Sequence, residues 1–190
     1  MLNKAVNSKP SINRLVIIGL GLIGSSLAVA ARELGLAETV VGISRRSSTL
    51  ELALDRGIID QACDSLKAIA NDLDAGDMVV IGVPTLTVPG ILKECHELLS
   101  DCVTITDVAS VKGSVVNAAT NIYGRMPGQF FLGNTSAGLE LSGVTAEDSK
   151  LFEHHKVIIT QTETTESKHL ELYASLSTGV GAKVASMTVE

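Results

Sequence analysis

Residues 15–24 read LVIIGLGLIG, an apolar run followed at once by three glycines in the spacing GxGxxG. This order predicts a strand, a tight turn and the start of a helix, which together make a dinucleotide pyrophosphate site. The first glycine permits the tight turn, the second leaves room for backbone to approach phosphate oxygens, and the third lets helix and strand pack closely. The helix N-terminus then points unsatisfied N–H groups at the anion. The predicted cofactor-binding residues of this turn are Gly19, Gly21, Leu22, Ile23 and Gly24.

The composition is that of an ordinary globular chain. Its 190 residues are 45% apolar and 19% charged, which is enough for one domain with a full core. The formal net charge is −6, and no basic run is longer than Arg45-Arg46. The chain has no Trp, two Tyr and three Phe, so it lacks both the basic surface and the stacking platforms of a nucleic-acid-binding protein. We therefore expect a small-molecule substrate and no nucleic acid.

The cysteines and histidines show no spacing typical of metal ligands. Cys63, Cys95 and Cys102 form an odd set without CxxC, which argues against a disulfide framework and a zinc site and favours a reducing cytoplasm. Residues 15–31 carry no charge and superficially resemble a signal peptide. Their three glycines would break an insertion helix, however, and the strand–turn–helix pattern explains the same residues. We expect neither a metal nor a membrane segment.

Strand and helix patterns alternate along the rest of the chain. Predicted strands lie at 15–18, 39–43, 58–62, 78–83, 103–106, 129–132, 156–160 and 183–187. Predicted helices lie at 23–34, from a capping box at 48–51 to Gly57, at 87–99, at 111–122 and at 165–177. This alternation, with nearly continuous apolar strands, predicts an α/β fold with a doubly wound, Rossmann-type, mainly parallel sheet. We expect an N-terminal tail at 1–13 and a single NAD(P)-binding domain at 14–190.

In an open α/β sheet the ligand binds beyond the carboxyl ends of the strands. Ser44, Arg45 and Arg46 follow the second strand, where an acid about 20 residues past the turn would bind the ribose 2′-hydroxyl. Serine does not repel a 2′-phosphate and an arginine can pair with one, so both NAD and NADP are admissible cofactors. A solvated arginine pair in a loop explains the same residues.

Two further loops are predicted to face the nicotinamide. Val83, Pro84 and Thr85 follow the fourth predicted strand, and Asp107 follows the fifth. Asp107 and Lys112 can equally be interpreted as a surface ion pair beside a helix start.

Several blocks of sequence, in order, resemble the prephenate/arogenate dehydrogenase family of tyrosine biosynthesis. They are GLGLIGSSLA at 19–28, GVPTLTVPGIL at 82–92, TDVASVKGSVV at 106–116, and SAGLELSGV at 136–144 followed by LFEHHKVIIT at 151–160. The resemblance covers nearly the whole chain from Leu15. Other small hydroxy-acid or imine dehydrogenases share the glycine turn and Val-Pro-Thr, but the third block weighs against them.

The resemblance implies oxidation of prephenate or arogenate by NAD or NADP, with a loss of carbon dioxide that aromatises the ring. It implies that Ser110 lies beside the substrate hydroxyl and that Glu140 contacts the substrate. Where the family ordinarily reads Gly-His-Pro, with the histidine accepting the proton of the C4 hydroxyl, this chain has Asn134. An amide can hydrogen-bond a hydroxyl but cannot take its proton. We therefore expect an impaired enzyme, or alternatively a non-catalytic NAD(P)-binding module.

The resemblance also implies a homodimer. Family members continue into a helical domain that makes the dimer and supplies further substrate contacts. This chain ends at Glu190, where that domain is expected to begin. We therefore expect the dimerisation domain to be absent from this chain.

Overall fold

The computed structural model describes residues 11–109, 112–135, 148–153, 156–161 and 164–188. Strands and helices alternate along these ranges. Their bounds are β1 (Ile12–Ile18), α1 (Leu22–Glu33), β2 (Ala37–Ile43), α2 (Ser47–Asp55), β3 (Gln61–Cys63), β4 (Met78–Ile81), α3 (Val88–Leu98), β5 (Thr104–Asp107), α4 (Lys112–Tyr123), β6 (Phe130–Thr135), β7 (Lys156–Gln161), α5 (Ser167–Gly179) and β8 (Lys183–Thr188).

The described strands form one sheet in the order β3-β2-β1-β4-β5-β6-β7-β8. Neighbours are parallel except β6 and β7, which pair antiparallel. This arrangement confirms the predicted mainly parallel sheet, although the reversal at β7 was not predicted. The strand order turns back between β1 and β4, and Ile18 pairs with both Ile43 of β2 and Ile81 of β4. The carboxyl ends of these three strands are therefore level, and they form the crevice where such sheets bind ligands.

Each face of the sheet carries its own hydrophobic core, as a doubly wound fold requires. On β1, Leu15 and Ile17 pack into one core while Val16 and Ile18 pack into the other. The first core includes buried residues of α1, α2 and α5, and the second includes buried residues of α3 and α4. Each fully buried Leu, Ile or Val side chain stabilises the fold by about 1.5–3 kcal/mol. Burial on both faces explains the continuous apolar runs at residues 15–18 of β1 and at Met78–Ile81 of β4.

The helix ends were predicted more accurately than the start of α2. Gly35 (φ +62°) follows α1 and Gly57 (φ +66°) follows α2, both in the left-handed conformation expected of a terminating glycine. The capping box predicted at 48–51 is wrong. The N-cap is Arg46, two residues before Ser48, and no side chain caps the helix. The reason is local, because the Arg46 N–H donates to Ser44 Oγ at 3.2 Å and turns the chain before Ser48 is reached.

The third strand lies later than predicted, at Gln61–Cys63 instead of 58–62. Ile58 and Ile59 are buried, which explains why they read as strand residues. Their N–H groups instead donate to Ala53 O, at 2.8 Å and 3.4 Å, and so close the end of α2. A strand that uses those amides in the sheet ladder cannot form.

Of the three cysteines, only Cys95 is fully buried, and burial raises the pKa of its thiol to about 12. Cys102 is half-buried and precedes β5. Over the described ranges, none of the helices has the length and apolarity needed to cross a membrane. The same ranges hold no group of three or more His, Cys, Asp or Glu side chains placed to bind a metal ion.

His169 joins α5 to the sheet and is only 1% exposed. Its Nδ1 lies 2.7 Å from Thr104 Oγ1 of β5, and Nε2 lies 3.9 Å from the Glu166 carboxylate. Burial lowers the pKa of His169, and the Lys168 charge lowers it further, while Glu166 and Asp101 oppose this in part. The folded protein therefore favours neutral His169 at a pH where the unfolded chain already binds a proton.

We expect this histidine to make the fold acid-sensitive. The pKa of His169 in the folded protein lies below the unfolded value of about 6.5. Its contribution to the free energy of unfolding is therefore complete above that pH and is lost as the pH falls toward the folded pKa. Urea unfolding at pH values between about 7.5 and 5 measures how the free energy of unfolding depends on pH. This dependence should be weaker in the variant His169→Gln than in the parent, whereas the exposed His96→Gln should not change it. Equal slopes in parent and His169→Gln would show that this side chain is not responsible.

Candidate functional site

The three glycines of the turn between β1 and α1 differ in their surroundings. Gly19 has φ +99°, and a Cβ there would lie 2.6 Å from the Gly82 carbonyl oxygen. A Cβ on Gly24 would overlap the Gly19 carbonyl oxygen and lie 3.1 Å from Ile17 Cγ2 of β1. A Cβ on Gly21 would meet no atom within 4 Å. The turn, the close helix–strand packing and the open approach predicted for these glycines are therefore all present in the geometry.

Gly21 is also the N-cap of α1, with extended backbone and no side chain to cap the helix. The first intrahelical bond runs from the Ser25 N–H to Gly21 O at 2.9 Å. The N–H groups before Ser25 have no carbonyl acceptor within the helix, so they point out of its N-terminal end. Together with the helix dipole they form a positive pole beside the open space at Gly21. A pyrophosphate matches this site in both charge and shape.

Backbone hydrogen bonds hold the neighbouring strand ends around this turn. The Gly19 N–H donates to Ile43 O of β2 at 2.9 Å, and the Gly82 N–H donates to Ile18 O at 2.7 Å. A Cβ on Gly82 would lie 2.9 Å from the Gly19 carbonyl oxygen, so the two loops touch backbone to backbone. The turn after β1 and the loop after β4 thus form one rigid edge.

A cleft of about 690 Å³ opens at this edge. The predicted cofactor residues that line it are Gly19, Gly21, Ser44, Arg45, Arg46, Val83 and Pro84. The structure thus brings together the three loops that the sequence assigned to a cofactor. Other predicted cofactor residues do not line the cleft, namely Leu22, Ile23, Gly24, Thr85 and Asp107. The first three of these belong to α1, where their N–H groups and not their side chains would take part.

Asp107 ends β5 and is fully buried. Its Oδ2 accepts a hydrogen bond from the Ala109 N–H at 2.9 Å, which shapes the loop that leaves the strand. Asp107 is therefore not a surface residue. Asp107 therefore supports this loop from within the protein.

The predicted substrate-side residues are described only in part. Ser110 and Glu140 lie outside the described residues. Asn134 belongs to β6, where its backbone pairs with Ile158 of β7. Because Asp107 pairs with Leu132, Asn134 lies two residues past the last paired position of β5, at the carboxyl edge of the parallel strands. The sequence position that the family resemblance singled out is thus at the edge where the cleft opens.

Tyr173 of α5 packs beneath this end of β6. It is buried, its ring stacks on Phe131 at 5.9 Å, and its hydroxyl would overlap a Cβ built on Gly133. Burial raises the pKa of Tyr173 to about 12, while hydrogen bonds with Thr106 and Ser177 partly offset this. The phenol is therefore protonated at neutral pH. It therefore cannot accept a proton at neutral pH.

Several residues that line the cleft were missed by the sequence reasoning. They are Thr49 of α2, Asp64, Ser65 and Leu66 after β3, and Thr87, Gly90, Ile91 and Glu94 at α3. The rule that ligands bind after the strands applies to Asp64 and Ser65 as well. The predicted third strand, 58–62, ends only one residue before β3 does, so the rule already pointed to these residues but was not applied to them.

Comparison with known proteins matches this chain to a known family. Residues 27–186 match the family described as "Prephenate dehydrogenase, nucleotide-binding domain". The chain is 32% identical over 151 residues to a prephenate dehydrogenase of Lactococcus lactis, covering 79% of this chain and 41% of that protein. The chain spans about half the length of the curated relatives it matches.

Solved structures give the same result. The crystal structure of prephenate dehydrogenase from A. aeolicus in complex with hydroxyphenyl propionate and NAD+ is 33% identical, with a TM-score of 0.84 over 95% of this chain and 62% of that chain. The crystal structure of Synechocystis arogenate dehydrogenase is 29% identical, with a TM-score of 0.81 over 92% of this chain and 59% of that chain. The chain therefore belongs to the prephenate/arogenate dehydrogenase family, of which it carries the nucleotide-binding domain.

Proposed function

We propose that this chain is the cofactor-binding domain of an NAD(P)-dependent oxidoreductase for prephenate or arogenate. The observation that carries the proposal is the open space at Gly21, beside the N-terminus of α1 and at the mouth of a cleft of about 690 Å³. This space suits a pyrophosphate, because a backbone without Cβ can approach phosphate oxygens there. When bound, the nicotinamide would accept hydride from the substrate ring as the carboxylate leaves as carbon dioxide.

The roles of the chain's own residues follow from their positions. The N–H groups at the start of α1, including those of Leu22, Ile23 and Gly24, would bind the pyrophosphate. Val83, Pro84 and Thr85 would border the nicotinamide, with Asp107 holding the adjacent loop through the Ala109 N–H. Ser110 would orient the substrate hydroxyl, and Glu140 would contact the substrate.

Asn134 limits what this domain can catalyse. An amide at this position can keep a hydrogen bond to the substrate hydroxyl, but it cannot accept the proton that must leave with the hydride. General acid–base catalysis contributes about 10² to 10⁴ in rate. We propose that turnover is reduced by a factor of this order, while cofactor binding, which uses other residues, persists.

A second candidate function follows from the same residue. A domain that keeps the glycine turn and has Asn134 in the place of the base can serve as a non-catalytic NAD(P)-binding module. The two candidates differ in one measurable property, since only the enzyme produces reduced cofactor when prephenate or arogenate is added.

Titration of the full chain with NADH and NADPH tests the shared part of both proposals. The chain has no Trp, so the fluorescence of the reduced nicotinamide can be followed with little protein emission. We expect saturable binding of at least one coenzyme. Substrate-dependent reduction of NAD or NADP would then support the enzyme, and its complete absence would support the module. If neither coenzyme binds at millimolar concentration, both candidates are wrong.

A further inference from the structure

The loop after β2 has an unusual charge for a dinucleotide site. The position that would hold an acid for the ribose 2′-hydroxyl is Ser44, and two arginines follow it. Ser44, Arg45 and Arg46 all line the cleft, and both arginines are exposed. The end of β2 therefore presents two cations and a hydroxyl to a bound ligand.

Neither the Arg45 nor the Arg46 guanidinium forms an ion pair with a carboxylate of the described residues. Arg14 and Arg32 differ in this respect, since they pair with Asp77 at 3.9 Å and with Asp60 at 2.8 Å. An arginine that already neutralises a carboxylate has little to gain from a phosphate. The two cleft arginines keep their full charge and hydrogen-bonding capacity for a ligand.

The loop geometry directs further donors to the same place. The Ser44 hydroxyl oxygen accepts the Arg46 N–H at 3.2 Å, which leaves its own proton to donate. Arg46 is the N-cap of the nine-residue helix α2, and no side chain caps that helix. The first N–H groups of α2 and its dipole therefore add positive potential beside the arginines.

Two carboxylates line the same cleft and oppose an anion. Ser44 lies level with Asp64, because Ile43 pairs with Cys63 and the Ser44 N–H donates to Cys63 O at 3.4 Å. Asp64 accepts a hydrogen bond from the Ser65 hydroxyl at 2.8 Å, and Glu94 lies on α3. Asp64 thus lies beside the loop after β2, which itself carries two arginines and no carboxylate.

We infer that this cleft selects NADP(H) over NAD(H), with the Ser44 hydroxyl and the guanidinium groups of Arg45 and Arg46 binding the 2′-phosphate. The inference rests on the proposed function and specifies its cofactor. A 2′-phosphate adds about −1.5 to −2 charge at pH 7 and three strong acceptor oxygens. A planar guanidinium is well suited to bind such a group through paired hydrogen bonds. The free ribose 2′-hydroxyl of NAD(H) is uncharged, so it interacts with two arginines less strongly than a 2′-phosphate does.

Parallel titrations of the full chain with NADPH and NADH test the inference. We expect NADPH to bind at least about tenfold more tightly, the effect of one charge-assisted hydrogen bond. Arg45→Ala and Arg46→Ala should each lower the affinity for NADPH about tenfold and change the affinity for NADH less than about twofold. Ser44→Asp should reverse the preference, and Asp64→Asn should strengthen NADPH. Arg56→Ala, at the other end of α2 and outside the cleft, is the matched control and should change neither affinity.

The parent protein offers a measurement that needs no variant. Raising the ionic strength from about 0.05 M to 0.5 M should weaken NADPH more than NADH, since screening acts on the additional charge. Equal affinities, tighter NADH, or an identical salt response would overturn the NADP(H) inference and leave the proposed function standing. Failure of both coenzymes to bind would instead overturn the proposed function, and the inference with it.

Discussion

Gly21→Val is expected to lower the affinity for reduced coenzyme about a hundredfold or more. The space above Gly21 is open, so a valine side chain fits the free protein but fills the volume that a pyrophosphate needs. Its extended backbone, φ −82° and ψ −170°, is also acceptable to a β-branched residue. Loss of two charge-assisted hydrogen bonds to phosphate accounts for about 3 kcal/mol, or roughly two powers of ten. Fluorescence titration measures the affinity, and urea unfolding measures stability.

The same substitution should change stability little. Valine is a poorer N-cap than glycine, so we expect a loss of at most about 1 kcal/mol. Gly24→Ala should behave in the opposite way. Its Cβ would overlap the Gly19 backbone, and overpacking of this kind lowers the free energy of unfolding by about 1–3 kcal/mol. Gly113→Val, at another open glycine outside the cleft, is the control for binding. If Gly21→Val binds as tightly as Gly113→Val, the pyrophosphate is not at this turn.

The parts of the fold that the sequence predicts well are those that local chemistry decides. A parallel strand segment buried on both faces is apolar, so residues 15–18 of β1 and Met78–Ile81 of β4 are recognisable without knowledge of their neighbours. Gly35 and Gly57 end helices because the left-handed conformation is sterically open to glycine. Residues 19–24 combine both signals, which is why the turn and its three glycines were predicted residue by residue.

The predictions from sequence fail where groups distant in the sequence determine the hydrogen bonds of the backbone. Ile58 and Ile59 have the composition of a strand, but the end of α2 takes their amides. The apolar pattern of β7 is that of a buried strand and carries no sign of its direction, which is set by pairing with β6. In the site, Glu94 was missed because its place in the cleft depends on how α3 packs against the sheet. Such placement is tertiary information.

Asn134→His, in this chain joined to the helical domain of a family relative, is expected to raise substrate-dependent turnover by about 10² to 10⁴. The family resemblance places the proton acceptor for the substrate hydroxyl at this position, and an imidazole can take the proton that an amide cannot. Asn134 lies at the carboxyl edge of the sheet, beyond the end of β5. The protonated Tyr173 phenol beneath it offers no substitute base at neutral pH. The rate of NADH or NADPH formation with prephenate or arogenate measures the gain.

The pH profile separates general-base catalysis from an improved fit of the substrate. With Asn134→His, turnover should rise with pH through about 6.5, because only neutral imidazole accepts the proton, and the parent should lack this limb. Asn134→Gln is the matched control, since it changes the size of the side chain and keeps the amide, and it should give no gain. A gain without the new pH limb would mean that the histidine acts by positioning. No gain at any pH, with coenzyme binding intact, would mean that position 134 does not carry the base.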